Sequence, residues 1–296
     1  MEQAATSYII HMLKVYLVQI DSEKGIKQSN LEKAKKMILE AKPDQGSLIL
    51  LPEMFATGYV PANLSAAAED FISSDSGETA RMLSEVATKT GCTIMGAGIT
   101  RAANGFFNHV SIYAPQSNKE FCGYNKMNLF FPERDDFTPG EKINLFNFKE
   151  IPAGVYPGLR SGAEMTRNVN WKIASFICYD LRFPEIFREA TKQGANLITI
   201  QAAWPAKRRA HWETLLKARA IENQVYIAAV NAVTVTPEHK ASLAGTSLII
   251  SPNGDILAEG PTNEEAILSA KLDLQAEKDL RKSFPVLDII VSPDLL

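Results

Sequence analysis

Residues 172–201 read KIASFICYDLRFPEIFREATKQGANLITIQ. The run 172–178 is short, apolar and rich in β-branched and aromatic residues, as suits a strand buried on both faces. Pro184 fits the first turn of a helix over 184–193, because its missing N–H has no partner there anyway. A second apolar run, 195–201, follows at once, so the stretch is a β-α-β unit. Outward from it the alternation continues. Residues 13–20 form a strand. Residues 30–42 put Leu31, Ala34, Ile38 and Ala41 on one helical face that Pro43 ends, and 47–51 is another buried strand. Asp75-x-x-Glu78 resembles a capping box opening a helix to Thr90, stopped by Gly91. Runs 92–100 and 106–114 flank Asn104-Gly105, a hairpin signal. A further strand ends near Lys126, and a long irregular stretch leads back to 172. A helix over 209–224 points Trp212, Leu215, Leu216 and Ile221 roughly one way. Strands over 225–231, 247–251, 255–258 and 266–272 complete the series. Hairpins beside β-α-β units make this an α/β chain with mixed sheets, without repeats or low-complexity stretches.

The chain has 296 residues, 46% hydrophobic and 22% charged, which are globular values. No apolar run approaches the roughly 18 residues that a membrane span needs. The net charge of −3, from 31 basic and 34 acidic residues well mixed along the chain, is no footprint for nucleic acid. The short run Lys207-Arg208-Arg209 reads as a solvated loop. Three cysteines, Cys92, Cys122 and Cys178, without a signal-like N-terminus fit reduced thiols in the cytoplasm. No C-x-x-C pair exists and the histidines are scattered, so the spacing predicts no metal site. One domain over 12–296 is expected. Residues 1–11 read as a disordered leader, which leaves Met12 as an alternative start, and 282–296 as a tail packing at a subunit interface.

Three segments share one design: an apolar strand, a reactive residue at its end, and then a loop rich in aromatics or proline. They end at Glu53, Lys126 and Cys178, and strand ends are where α/β sites collect. A cysteine attacks as its thiolate. A lysine beside it favours that thiolate and stabilises an oxyanion, while a carboxylate takes the thiol proton and returns it to a leaving amine. The backbone N–H of Tyr179 supplies a second oxyanion donor. Each residue alone has a plainer reading: Cys178 a small buried hydrophobe, Glu53 a capping acid, Lys126 a surface lysine. Cys92 and Cys122 read as core residues.

The flanks decide between the readings. Residues 49–59 (ILLPEMFATGY), 123–142 (GYNKMNLFFPERDDFTPGEK) and 177–185 (ICYDLRFPE) resemble, in order, the signature blocks of the nitrilase, or carbon–nitrogen hydrolase, superfamily. The likeness extends to Gln201-Ala202-Ala203-Trp204-Pro205 and to residues 211–231, and it covers 14–274. It implies a four-layer α-β-β-α sandwich, usually a homodimer, that hydrolyses a non-peptide C–N bond through a thioester with no metal or organic cofactor. It also implies roles: Glu53 as general base, Lys126 as transition-state lysine, Cys178 as nucleophile, and Glu133, before Pro139-Gly140, orienting Lys126 and the substrate amine.

Within that superfamily the residues around Cys178, with Trp204-Pro205 and HWETLLKARAIEN, resemble the ω-amidase branch, which acts on 2-oxoglutaramate and 2-oxosuccinamate. Arg182 matches that branch's carboxylate-binding arginine, whose planar fork suits the group. A structural pair with Asp180 or Glu185 is its alternative. Trp204 walls the pocket or packs in the core, and Tyr59 is a further substrate contact. The partner implied is a small amide. An N-carbamoyl amidohydrolase is the alternative within the same chemistry. A Cys–His hydrolase using His109 or His211, and a silent metabolite-binding homologue, lie outside it. Residues 151–166 read as an insertion, a flap or rim over the pocket.

Overall fold

The computed structural model describes residues 12–71, 77–148, 171–235 and 242–288. The leader, Asp75, the insertion 151–166 and the end of the tail lie outside the described residues. Twelve strands form two six-stranded sheets within them. The first runs β12 (Ala266–Asp273), β1 (Met12–Gln19), β2 (Leu48–Leu50), β3 (Thr93–Ala102), β4 (Gly105–Tyr113), β5 (Cys122–Asn125). The second runs β11 (Ile256–Glu259), β10 (Leu248–Ile250), β9 (Tyr226–Asn231), β8 (Leu197–Ala202), β7 (Trp171–Ile177), β6 (Leu145–Phe148). In each, three parallel strands sit at the centre and antiparallel strands flank them. The two sheets therefore repeat one topology, β12 standing to β1 as β6 stands to β7, although the sequence has no detectable repeat.

Alternation along β1 separates the layers. Leu13, Val15 and Leu17 enter the core between the sheets, where they join Ile173, Leu197, Tyr226 and Ile249. Tyr16, Val18 and Ile20 face outward, against Leu31 and Ile38 of helix α1 (Lys27–Ala41). After a helical turn α2 (Leu64–Ala67), helix α3 (Glu78–Thr90) adds Leu83 and Val86 to the same layer. The second sheet is covered by α4 (Pro184–Lys192) and α5 (Arg209–Asn223) through Phe187, Trp212, Leu216 and Ala220. The result is the expected α-β-β-α sandwich with mixed sheets.

Most elements lie where the sequence puts them, and three readings need correction. Ile221 is 53% exposed, because nine residues at 100° each place it half a turn away from Trp212; Arg219 and Ala220 take the inner face instead. The irregular stretch after Lys126 contains β6, four residues that pair with β7. An unforeseen helix, α6 (Leu274–Ser283), leads from β12 into the tail, and its N-cap Asp273 accepts from Gln275 N–H. At α3 the Glu69 carboxylate, which also pairs with Lys27, accepts from the N–H groups of Thr79 and Ala80, and Gly91 ends the helix at φ 66°.

Candidate active site

The strand directions bring the candidate residues to one end of the sandwich. β2 and β3 are parallel and β5, two antiparallel steps from β3, runs the same way. Glu53 follows β2 and Lys126 follows β5. Cys178 and Ala203 follow the parallel strands β7 and β8. β4 runs back, so its early residue Asn108 lies at the same end.

Lys126 Nζ lies 2.9 Å from Glu53 Oε1 and 2.7 Å from Glu133 Oε2. Asn108 Nδ2 donates to Glu53 Oε1 at 2.7 Å and to Glu133 Oε1 at 2.8 Å. Ala203 N–H donates to Glu53 Oε2 at 3.0 Å and Phe130 N–H to Glu133 Oε2 at 2.7 Å. None of these four side chains is more than 1% exposed, so their charges are answered by one another rather than by water. Burial opposes the Lys126 ammonium, but Glu53 and then Glu133 outweigh it and hold the group above its ordinary range. Burial pushes the Glu133 carboxyl up, against the pull of Lys126. The Pro139-Gly140 turn locks the lysine's backbone: Gly140 N–H donates to Lys126 C=O at 2.8 Å, and a Cβ at Gly140 would strike the Asn125 carbonyl.

Cys178 opens a 3-10 turn, Cys178–Arg182, with φ 44°, a left-handed conformation that costs a side-chain-bearing residue roughly 1–3 kcal/mol. The surroundings hold it there. Asp180 accepts from Ile177 N–H at 3.0 Å, and Arg219 Nη2 donates to Leu181 C=O at 2.9 Å. Tyr179 N–H lies near the start of the turn, where a helical N–H has no acceptor within the turn itself. The Cys178 thiol lies in the field of Glu53, Lys126 and Glu133. Burial first, then the Glu53 charge, pushes it well above its ordinary value, and the opposing pull of Lys126 is smaller. Lys126 was expected to favour a resting thiolate, and here it does not prevail. Burial, and two carboxylates standing against one ammonium, favour the thiol form of Cys178 over the thiolate.

Cys178 lies on the wall of a cavity of about 270 Å³, with Tyr59, Phe130, Tyr179, Arg182, Ala203 and Trp204 among its neighbours. Arg182 stacks its guanidinium over the Trp204 ring at 4.7 Å. Its polar contact is His211 Nδ1 at 3.4 Å, not Asp180, whose oxygens accept from Tyr124, Asn128 and Ile177. Trp204 both lines the cavity and packs on Trp212, ring centres 5.7 Å apart. His109 does not serve the cysteine: its ring nitrogens lie 2.6 Å from Asn125 Oδ1 and 2.6 Å from Glu120 Oε1.

The sequence reading missed Asn108, Asp180 and Arg219, and took Lys207 and Arg208, which line the cavity, for a solvated loop. A buried asparagine within the apolar strand FFNHVSIY was the one visible signal for Asn108.

Comparison with known proteins places this geometry in a lineage. The family profile described as Carbon-nitrogen hydrolase matches residues 14–282. The chain is 34% identical over 275 residues to the 2-oxoglutaramate amidase of Bacillus subtilis (strain 168), covering 92% of this chain and 95% of that one. It is 29% identical over 274 residues to omega-amidase NIT2-B of Xenopus laevis, covering 88% and 89%. The crystal structure of XC1258 from Xanthomonas campestris, a CN-hydrolase superfamily protein with an arsenic adduct in its active site, superposes with a TM-score of 0.79. That match has 28% identity and covers 95% of this chain and 99% of the other.

Proposed function

This chain belongs to the carbon-nitrogen hydrolase family, and on that premise we propose that it is an ω-amidase. Its substrates are small ω-amides of 2-oxo dicarboxylates, of the 2-oxoglutaramate and 2-oxosuccinamate type, and it releases ammonia through a thioester on Cys178. The observation that carries the reading is Arg182. Its guanidinium lies on Trp204 in the wall of the cavity that Cys178 borders, and its polar neighbour is a histidine rather than a carboxylate. A cation so placed is ready for a substrate's carboxylate, and a planar fork can take it bidentately. The amidase names of the relatives described above support the same substrate class.

The reaction follows from the site. Glu53 takes the thiol proton as Sγ bonds to the amide carbon, and the carbonyl electrons become an oxyanion facing Lys126 and Tyr179 N–H. Collapse breaks the C–N bond, and the proton held by Glu53 leaves with ammonia. Water then gives a proton to Glu53 and adds to the thioester. The second collapse expels the sulfur, which recovers that proton, and the product acid departs. Glu133 and Asn108 keep Lys126 and Glu53 in place throughout. Tyr59 and Trp204 flank the substrate.

We also read the chain as one domain, residues 12–296, acting as a cytoplasmic homodimer. The single core shared by both sheets supports the first. Ile221 and Phe284, 53% and 64% exposed at neighbouring helix ends, support a subunit contact. Among the described residues no helix is long and apolar enough to cross a membrane.

The test is ammonia release from a panel of 2-oxoglutaramate, 2-oxosuccinamate, pentanamide, a ureido acid and an aliphatic nitrile. The oxo-acid amides should give the highest kcat/KM. Arg182→Met should cut them about ten- to a hundred-fold more than it cuts pentanamide. Preference for the ureido acid would overturn the assignment in favour of carbamoyl hydrolysis.

A further inference from the structure

The cavity has two ends of opposite charge. Behind Cys178 lie Glu53, Lys126 and Glu133, two carboxylates against one ammonium. Around the opening lie Arg182, Lys207 and Arg208, and no Asp or Glu lines the cavity among the described residues. Lys207 is exposed, whereas Arg182 and Arg208 are half-buried.

Arg208 is also held at its backbone. It ends a 3-10 turn, Ala206–Arg208, and its carbonyl accepts from Trp204 Nε1 at 2.8 Å, so the ring that carries Arg182 is fixed by the main chain of Arg208. The turn is tied across to the neighbouring wall: Ala206 N–H donates to Ser242 C=O at 2.9 Å and Ala244 N–H to Trp204 C=O at 2.8 Å. Two arginines thus line one small cavity from bases that are hydrogen-bonded to each other's surroundings.

We propose that Arg208 is a specificity-determining residue that shares the substrate's carboxylate with Arg182, so that the pocket admits monoamides of dicarboxylic acids amide end first. This rests on the ω-amidase reading and deepens it. An amide and a carboxylate are alike in size and shape, so packing alone does not orient a molecule carrying one at each end. Charge does. A carboxylate pushed toward Cys178 meets the buried Glu53 and Glu133 side chains, while nearer the surface it meets two arginines. The same gradient acts after hydrolysis, when the new carboxylate forms beside the two glutamates and is driven out.

The test compares kcat and KM for 2-oxoglutaramate and pentanamide in wild type, Arg208→Gln, Arg208→Lys, Lys207→Gln and Arg182→Met. Because the Trp204 bond uses the Arg208 backbone, the side-chain variants keep it, and circular dichroism checks the fold. Arg208→Gln should raise KM for 2-oxoglutaramate and lower its kcat/KM about ten-fold more than that of pentanamide. Arg208→Lys should recover part of that loss. The Arg208 effect should persist in about 0.5 M salt, while the effect of the exposed Lys207 should fade. An Arg208 effect that salt abolishes, or equal losses on both substrates while Arg182→Met stays selective, would overturn this proposal and leave the ω-amidase reading standing. Loss of selectivity in neither arginine variant would overturn both.

Discussion

Tyr124 donates its phenolic hydrogen to Asp180 at 2.8 Å, and this bond joins the strand that leads to Lys126 to the turn that carries Cys178. Asp180 also accepts from Asn128 N–H at 2.9 Å and Asn128 Nδ2 at 3.0 Å, so one buried carboxylate sets the distance between the two reacting side chains from both sides. Asp180→Asn keeps the shape but turns an amide N–H toward the donors at Ile177 or Asn128. A misplacement of about 1 Å at a reacting centre costs on the order of a hundred-fold in rate. The variant should lose ten- to a hundred-fold in kcat with KM little changed, and Tyr124→Phe less. Full kcat in a folded Asp180→Asn variant would show that the registry is set elsewhere.

Glu53 and Lys126 belong to one step, because each touches the other and both face Cys178. Glu53→Gln removes the proton acceptor and Lys126→Met removes the oxyanion's cation. Residues acting as a unit are strongly non-additive, so the double variant should be little slower than the worse single one. Losses that multiply would show that they act in separate steps. Urea unfolding belongs beside the kinetics, since removing one partner of a buried charge pair typically costs about 3–5 kcal/mol.

Among the described residues Asn108 is the one amide that donates to both glutamates. Asn108→Leu leaves two buried carboxylate oxygens short of a donor, which should cost about 1–3 kcal/mol in urea unfolding and slow turnover as well. Unchanged stability would mean that Lys126 alone answers both charges.

The pH behaviour of the thiol has a definite sign. Burial and the Glu53 charge favour the neutral form of Cys178 in the folded protein, so its thiol titrates above the ordinary value of 9.0. The stability that this gives is present below that pH and is lost as the folded-state thiol ionises at higher pH. The ultraviolet thiolate absorbance of wild type minus Cys178→Ala should therefore stay flat from pH 6 to about pH 9. A thiolate plateau at neutral pH would mean that Lys126 dominates after all.

Local features made much of this protein legible. Pro184, Pro43 and Gly91 act through backbone rules that need no tertiary context, and the helices begin or end beside them. Glu53, Lys126 and Cys178 were visible because each stands at the end of an apolar run. What stayed hidden depends on distant partners. Asn108 is one polar residue in a strand until Glu53 and Glu133 arrive from other elements. β6 has four residues and exists because β7 offers it an edge. Lys207 and Arg208 carry the charge pattern of a solvated loop, and only the pairing of Pro205 with Leu243 turns them into a pocket wall. The upward shift of the Cys178 thiol stayed hidden because residue types reveal neither its burial, the largest cause, nor the carboxylates that gather beside it.

Mass spectrometry of enzyme quenched during turnover of 2-oxoglutaramate tests the central claim most directly. The account predicts a gain equal to the substrate less ammonia, located on Cys178 and absent from Cys92 and Cys122, with no adduct and no ammonia release in Cys178→Ala. An adduct on another residue, or substantial hydrolysis by Cys178→Ala, would contradict it.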